Sequence, residues 1–79
     1  MQLFITKPFE KINIDVEWIE IETAAGNFVI QPEHAPMVIE LKPGIKAVYE
    51  LPNGLQEAIE IKSGLAHITR HSVTLLLSE

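Results

Sequence analysis

The side chains in this chain that could do chemistry are histidines, glutamates and a few serines. His34 stands in Gln31-Pro32-Glu33-His34-Ala35-Pro36, wedged between two prolines. A catalytic base needs its proton donor or acceptor within hydrogen-bond reach, and the neighbouring sequence offers none. His34 therefore reads as a structural pin or as a contact point for another protein. His67 and His71 are four apart, the spacing that on a helix would aim two imidazoles at one zinc ion. Their surroundings read as strand, turn and strand, and residues four apart on a strand are ~13 Å from each other. Surface histidines at a turn are the expectation, with no metal. Glu17, Glu20, Glu22, Glu57 and Glu60 sit at strand positions, mostly on the polar phase, and describe a solvated outer face. Ser63, Ser72 and Ser78 lie in turns or strand ends without a nucleophile elbow, and no phosphate-binding glycine loop is present. The expectation is a chain with no active site and no cofactor.

Composition narrows the class of partner. The 79 residues include no cysteine, so neither a disulfide nor a thiolate metal site can staple the fold. A single small domain spanning 1–79 is expected, hiding only about 60% of its unfolded surface. With 47% hydrophobic and 22% charged residues the chain is globular rather than disordered. Its net charge of -5, with dispersed Lys and Arg, argues against nucleic acid and anionic lipid as main partners. No apolar run approaches the ~20 residues that cross a bilayer as a helix, and Met1 to Glu10 lacks the pattern of an export signal. A cytoplasmic location without membrane insertion is the expectation.

The elements that must position any site alternate with period two. Ile19 and Ile21 share one face, opposite Trp18, Glu20 and Glu22. The same holds for Ile45, Ala47, Tyr49 and Leu51, for Leu55, Ile59 and Ile61, and for Val73, Leu75 and Leu77. Such runs are strands half buried against a core. Asn53-Gly54 predicts a hairpin whose two turn residues both tolerate positive φ. Pro43-Gly44 predicts a type II turn, and Ala25-Gly26-Asn27 and Ser63-Gly64 mark further breaks. The fold class is all-β, a sandwich or barrel. Trp18 falls on the outer phase, where an indole either lies over its neighbours or anchors an interface.

These residues resemble a known family. Thr23, Gly26, Phe28, Ile30, Pro32, His34, Ala35 and Pro36 stand in register with the Gly…Pro-x-His-Ala-Pro motif of the ε subunits of bacterial F-type ATP synthases. Leu41 to Gly44, Ser63 to Ile68, Val73 to Ser78 and Ile5 to Pro8 match that family's later and earlier segments, so the resemblance runs over essentially the whole chain. It implies a flattened two-sheet β-sandwich of about ten short strands. It further implies a non-catalytic rotor subunit of the central stalk, at the cytoplasmic face of the inner (plasma) membrane. Such a subunit joins the γ subunit to the polar loops of the membrane c-ring, and through γ serves the catalytic α and β subunits. By the same resemblance Thr6, His34, Ala35, Pro36, Met37 and Ile39 would face γ. Ala24, Ala25, Gly26, Asn27 and Phe28 would meet the ring. Asn27 stands where the family usually has Glu. Most members continue into a helical hairpin that can inhibit hydrolysis or bind ATP. This chain stops at Glu79, as a short form or a truncated piece would, and neither activity is expected of it. The rival reading is a stand-alone β-sandwich module with a different partner; a sugar-binding sandwich is disfavoured by only 6% aromatics.

Overall fold

The computed structural model describes residues 1–78 and contains, among them, nine strands and no helix. In chain order these are β1 (Gln2–Lys7), β2 (Glu10–Asp15), β3 (Trp18–Thr23), β4 (Gly26–Ile30) and β5 (Met37–Leu41). Then follow β6 (Ile45–Glu50), β7 (Gln56–Ile61), β8 (Gly64–Ile68) and β9 (Ser72–Leu77). They form a five-stranded sheet, β2-β1-β9-β8-β5, and a four-stranded sheet, β4-β3-β6-β7. All ladders are antiparallel except β1 with β9, which run parallel from Gln2↔Ser72 to Thr6↔Leu76.

The period-two reading holds where it was sharpest. Ile19, Ile21, Ala47, Val73 and Leu75 are wholly buried, and Ile45, Tyr49 and Leu77 nearly so. With Leu3, Ile5, Ile30, Leu41, Ile61, Ala66 and Ile68 they form one core between the sheets. The Tyr49 phenol is pushed up from its ordinary pKa, by burial first and then by the charge of Glu57, to which it hydrogen-bonds across the β6–β7 ladder.

One turn departs from the sequence reading. Asn53-Gly54 does close the β6–β7 hairpin, but as a three-residue loop. Leu51 and Leu55 are joined by a backbone bond of 2.8 Å, and Gly54 N–H returns to the Leu51 carbonyl at 2.9 Å. Only Gly54, at φ 88°, has positive φ; Asn53 instead accepts Leu55 N–H on its side chain at 3.0 Å. Pro52 therefore opens a turn of the type that places glycine last, followed by a bulge. Leu55 keeps the phase of Ile59 and Ile61 but lies at the turn end of the hairpin, where it is 62% exposed, against expectation. The Pro43-Gly44 turn has glycine at φ 90° and a Lys42 carbonyl to Ile45 N–H bond of 3.3 Å, as a type II turn requires. It is not a hairpin, however, because β5 and β6 lie in different sheets.

Two of the nearest inter-sheet connections meet at one end of the sandwich. There Gly64 opens β8 opposite Leu77, while Ser78 N–H donates to the Ser63 carbonyl at 3.1 Å and the two serine hydroxyls pair. A Cβ on Gly64 would overlap the Leu76 carbonyl. This glycine is thus needed for the close approach of two backbones. By contrast, nothing lies within 4 Å of a Cβ at Gly54. Gly64→Ala should cost at least ~3 kcal/mol, of the roughly 4–12 kcal/mol typical of a chain this long. Gly54→Ala should cost only ~1–2 kcal/mol, the backbone penalty alone. Urea unfolding followed by far-UV circular dichroism measures both; equal costs would contradict the assignment.

Candidate functional site

Among the described residues no three His, Cys, Asp or Glu side chains gather as a metal site. No buried side-chain polar atom among them lacks a partner.

The outer face of the five-stranded sheet is built by the residues that alternate with the core. In cross-strand register one row reads Asn13, Phe4, Thr74, His67, Val38 and the next reads Lys11, Thr6, Leu76, Leu65, Glu40. Phe4 is 36% exposed, Leu65 43%, Leu76 44% and Val38 63%. Four apolar side chains on four adjacent strands therefore share one surface. In these two rows the lysine and the carboxylate stand on the edge strands, so the centre carries no lysine, arginine or carboxylate. The outer face of the four-stranded sheet differs in kind. Its rows, Trp18-Glu50-Gln56, Val29-Glu20-Val48-Ala58 and Asn27-Glu22-Lys46-Glu60, put carboxylates through the middle. Trp18 is half-buried there, beside Glu20, Val29 and Gln31.

Of the residues expected to face γ, Thr6 lies on the outer face of the five-stranded sheet. His34, Ala35 and Pro36 lie in the segment that leads into β5. That segment is pinned by Glu33 N–H to the Arg70 carbonyl at 2.8 Å and by His34 N–H to the Gln31 carbonyl at 3.1 Å. The His34 Nδ1 sits 2.8 Å from the Ala35 carbonyl and donates to it. The imidazole is thus hydrogen-bonded within its own loop. Met37 and Ile39 pair with Ile68 and Ala66 and pack against the core. The apolar residue β5 turns outward is Val38, with Glu40 two residues on. Sequence reasoning missed Val38, Phe4, Leu65 and Leu76 as surface residues. Alternation with Leu3 and Ile5 could have found Phe4, whereas Leu76 is hidden within three consecutive leucines.

The second expected surface, Ala24 to Phe28, joins β3 to β4. Its exposed tip is Ala24-Ala25, while Gly26 already pairs with Thr23 inside the ladder. Thr23 Oγ1 donates to the Gly26 carbonyl at 2.6 Å and accepts Ala25 N–H at 3.2 Å, which braces the turn. Asn27 Nδ2 donates to Glu20 Oε2 at 3.3 Å, so its amide is held against the protein's own surface. Beside the tip, an apolar cleft of about 420 Å³ runs between Ala24, Ala25, Phe28, Ile39, Pro43 and Ile45. The tip and the end of β5 are thereby neighbours.

Comparison with known proteins agrees with this architecture. The model of the ATP synthase delta/epsilon chain β-sandwich domain matches residues 1–79. The chain is 30% identical over 77 residues to the ATP synthase epsilon chain of Paracoccus denitrificans, covering 96% of this chain and 51% of that one. It is similar to a chain of the Euglena gracilis mitochondrial ATP synthase solved with its c-ring, with TM-score 0.85 and 28% identity, covering 98% of this chain and 49% of that one. A chain of the Tetrahymena thermophila ATP synthase central stalk and c-ring shares the fold, with TM-score 0.77, 17% identity and coverage of 100% and 63%. The chain spans about half the length of the curated relatives it matches.

The phase of β5 makes a prediction. Met37→Glu forces a carboxylate against the core and should cost ~1–3 kcal/mol. Val38→Glu, one residue on and facing solvent, should change stability by no more than ~0.5 kcal/mol. Chemical denaturation of the two variants checks it, and a reversed order would mean that β5 is paired one residue out of register.

Proposed function

The chain belongs to the β-sandwich family of ATP synthase delta and epsilon chains, and from that membership we propose that it works as a rotor element of the central stalk. It forms a single domain with no active site of its own. It sits at the cytoplasmic face of the inner (plasma) membrane, fixes the γ subunit to the c-ring, and so supports the passage of torque between ion flow and the α and β subunits. The γ subunit docks on the outer face of the five-stranded sheet, over Thr6, Phe4, Leu76, Leu65 and Val38, with the His34 to Pro36 segment at its edge. The Ala24 to Phe28 hairpin meets the polar loops of the ring.

One observation carries the γ assignment: exposed apolar side chains on four neighbouring strands with no lysine, arginine or carboxylate at the centre. Interface cores lack charge while their rims keep it, and grouped exposed apolar side chains mark places where proteins meet. The opposite face, crossed by Glu20, Glu22, Glu50 and Glu60, would have to take several carboxylates out of water, which is costly. The stiff Pro32 and Pro36 flanks lower the ordering cost of the adjoining edge.

Binding of the purified chain to γ tests the reading. Leu76→Glu places a charge in the middle of the face and should weaken binding about tenfold or more, with circular dichroism unchanged. Val29→Glu, on the other sheet, should leave affinity within about twofold by the additivity expected of distant sites. If Leu76→Glu binds γ as tightly as the native chain, γ does not dock on this face. If the native chain binds no γ at all, a stand-alone module with another partner takes its place.

A further inference from the structure

The outermost strand of a sheet presents unpaired N–H and C=O groups, and proteins guard such edges with charges or prolines. Three of the edges here are guarded in that way. β2 carries Glu10, Lys11 and Asp15, β7 carries Glu57 and Glu60, and β5 carries Glu40 between Pro36 and Pro43. The remaining edge, β4, reads Gly26-Asn27-Phe28-Val29-Ile30, with no charge and no proline. Among the described residues, no backbone hydrogen bond outside its ladder with β3 reaches Asn27, Phe28 or Val29. Phe28 and Val29 are 39% and 50% exposed.

A recess lies on each side of this edge. On the inner side Phe28 borders the apolar cleft of about 420 Å³ that it shares with Ile39, Pro43 and Ile45; the two charged groups lining it, Glu40 and Lys42, are opposite in sign. On the outer side a shallower recess of about 230 Å³ lies between Trp18, Glu20, Val29 and Gln31. Glu20 leans toward the edge, because its carboxylate meets the Asn27 amide at 3.3 Å. Glu22, the next carboxylate along β3, has Lys46 opposite it on β6, whereas Glu20 has only Val48 there. The outer recess is therefore aromatic, aliphatic and negative.

We propose that the edge of β4 accepts an added strand, an extended segment of a partner protein in which apolar and arginine residues alternate. Main-chain hydrogen bonds to β4 supply the pairing, and the two recesses read alternate side chains. Residues next to each other on a strand point to opposite faces, so an apolar side chain drops into the cleft beside Phe28 while its neighbour crosses Val29 toward Glu20 and Trp18. Two strand spacings of ~4.8 Å separate an added strand from β3, a span that calls for a long side chain. A guanidinium pairs with a carboxylate and stacks on an indole, and its stem lies along apolar surface. A second copy of this chain fits less well. Its own β4 carries no basic residue, and beside Lys11 on its β2 the apolar Ile12 already packs against its own core. The proposal uses the edge of the four-stranded sheet and does not depend on what covers the five-stranded one.

An amide NMR titration of the chain with the capped peptide Thr-Arg-Val-Arg-Val-Thr tests this, with the fluorescence of the sole tryptophan as a second readout. The expected result is a saturable shift of the Asn27, Phe28 and Val29 amides and of the Trp18 indole, with a matching change in emission. The same peptide with glutamate for arginine, or N-methylated through its central four residues, should bind about tenfold more weakly or worse. Asn27→Lys, which guards the edge with a charge, should weaken binding by a similar factor with circular dichroism unchanged. Glu20→Gln should weaken the arginine peptide alone. Equal binding of the N-methylated peptide overturns strand addition, since side chains alone would then account for it. Shifts confined to β2 or β7, or no binding at millimolar peptide, overturn the site. Self-association that Asn27→Lys abolishes, without peptide binding, gives the edge to a second copy and overturns the stated occupant.

Discussion

The parallel ladder between the first strand and the last holds this molecule together. Without Gln2 to Thr6 against Ser72 to Leu76, the five-stranded sheet separates into a β1–β2 hairpin and a three-stranded piece, β9-β8-β5. A lone hairpin is marginal in water, and Leu3, Ile5, Val73 and Leu75, all but fully buried here, would lose their shared core. The ladder joins chain ends about as far apart in sequence as the protein allows. Closing so long a loop costs entropy before contacts return it, and folds dominated by such pairings form slowly. The bare Gly64 and the paired hydroxyls of Ser63 and Ser78 let β8 and β9 close up at that end of the sheet.

Interface and fold are consequences of the same ladder. Phe4 and Thr6 come from one side of it, Leu76 and Leu65 from the other, so the apolar face exists only once the sheet is whole. A partner that binds this face binds the folded chain alone and stabilises it by mass action. The two sheets divide the work by charge. One outer face is neutral at its centre and suited to being covered, while the other is crossed by carboxylates and suited to water. The net charge of -5 is in part the sum of that second face.

Much of the fold was legible because its sheets are half buried, and half burial writes a period of two into the sequence. Ile19 and Ile21, or Val73 and Leu75, could be assigned to the core from spacing alone. The turn at Asn53-Gly54 was legible as a reversal but not as a bulge. Pro52 and the Asn53 side chain together select the three-residue loop, and Leu55 beside it keeps its phase but stays exposed at the end of the hairpin. The surface was harder to read. Met37, Val38 and Ile39 are all apolar, so the one that faces outward is decided by pairing with β8. Leu76 sits between two core leucines and betrays nothing by its type. The order β2-β1-β9-β8-β5 leaves no trace in local periodicity, since it depends on partners more than sixty residues apart in the chain, Gln2 and Ser72 among them.

A structure of the assembled synthase containing this chain decides the central claim, that the face built across the β1–β9 ladder is the one that holds γ. The account predicts γ side chains within ~4.5 Å, the range of apolar contact, of Phe4, Leu65 and Leu76, with Glu20 and Glu22 left in solvent. If γ lies against Trp18, Val29 and Glu20, with the Phe4 to Val38 face open to water, the account is contradicted.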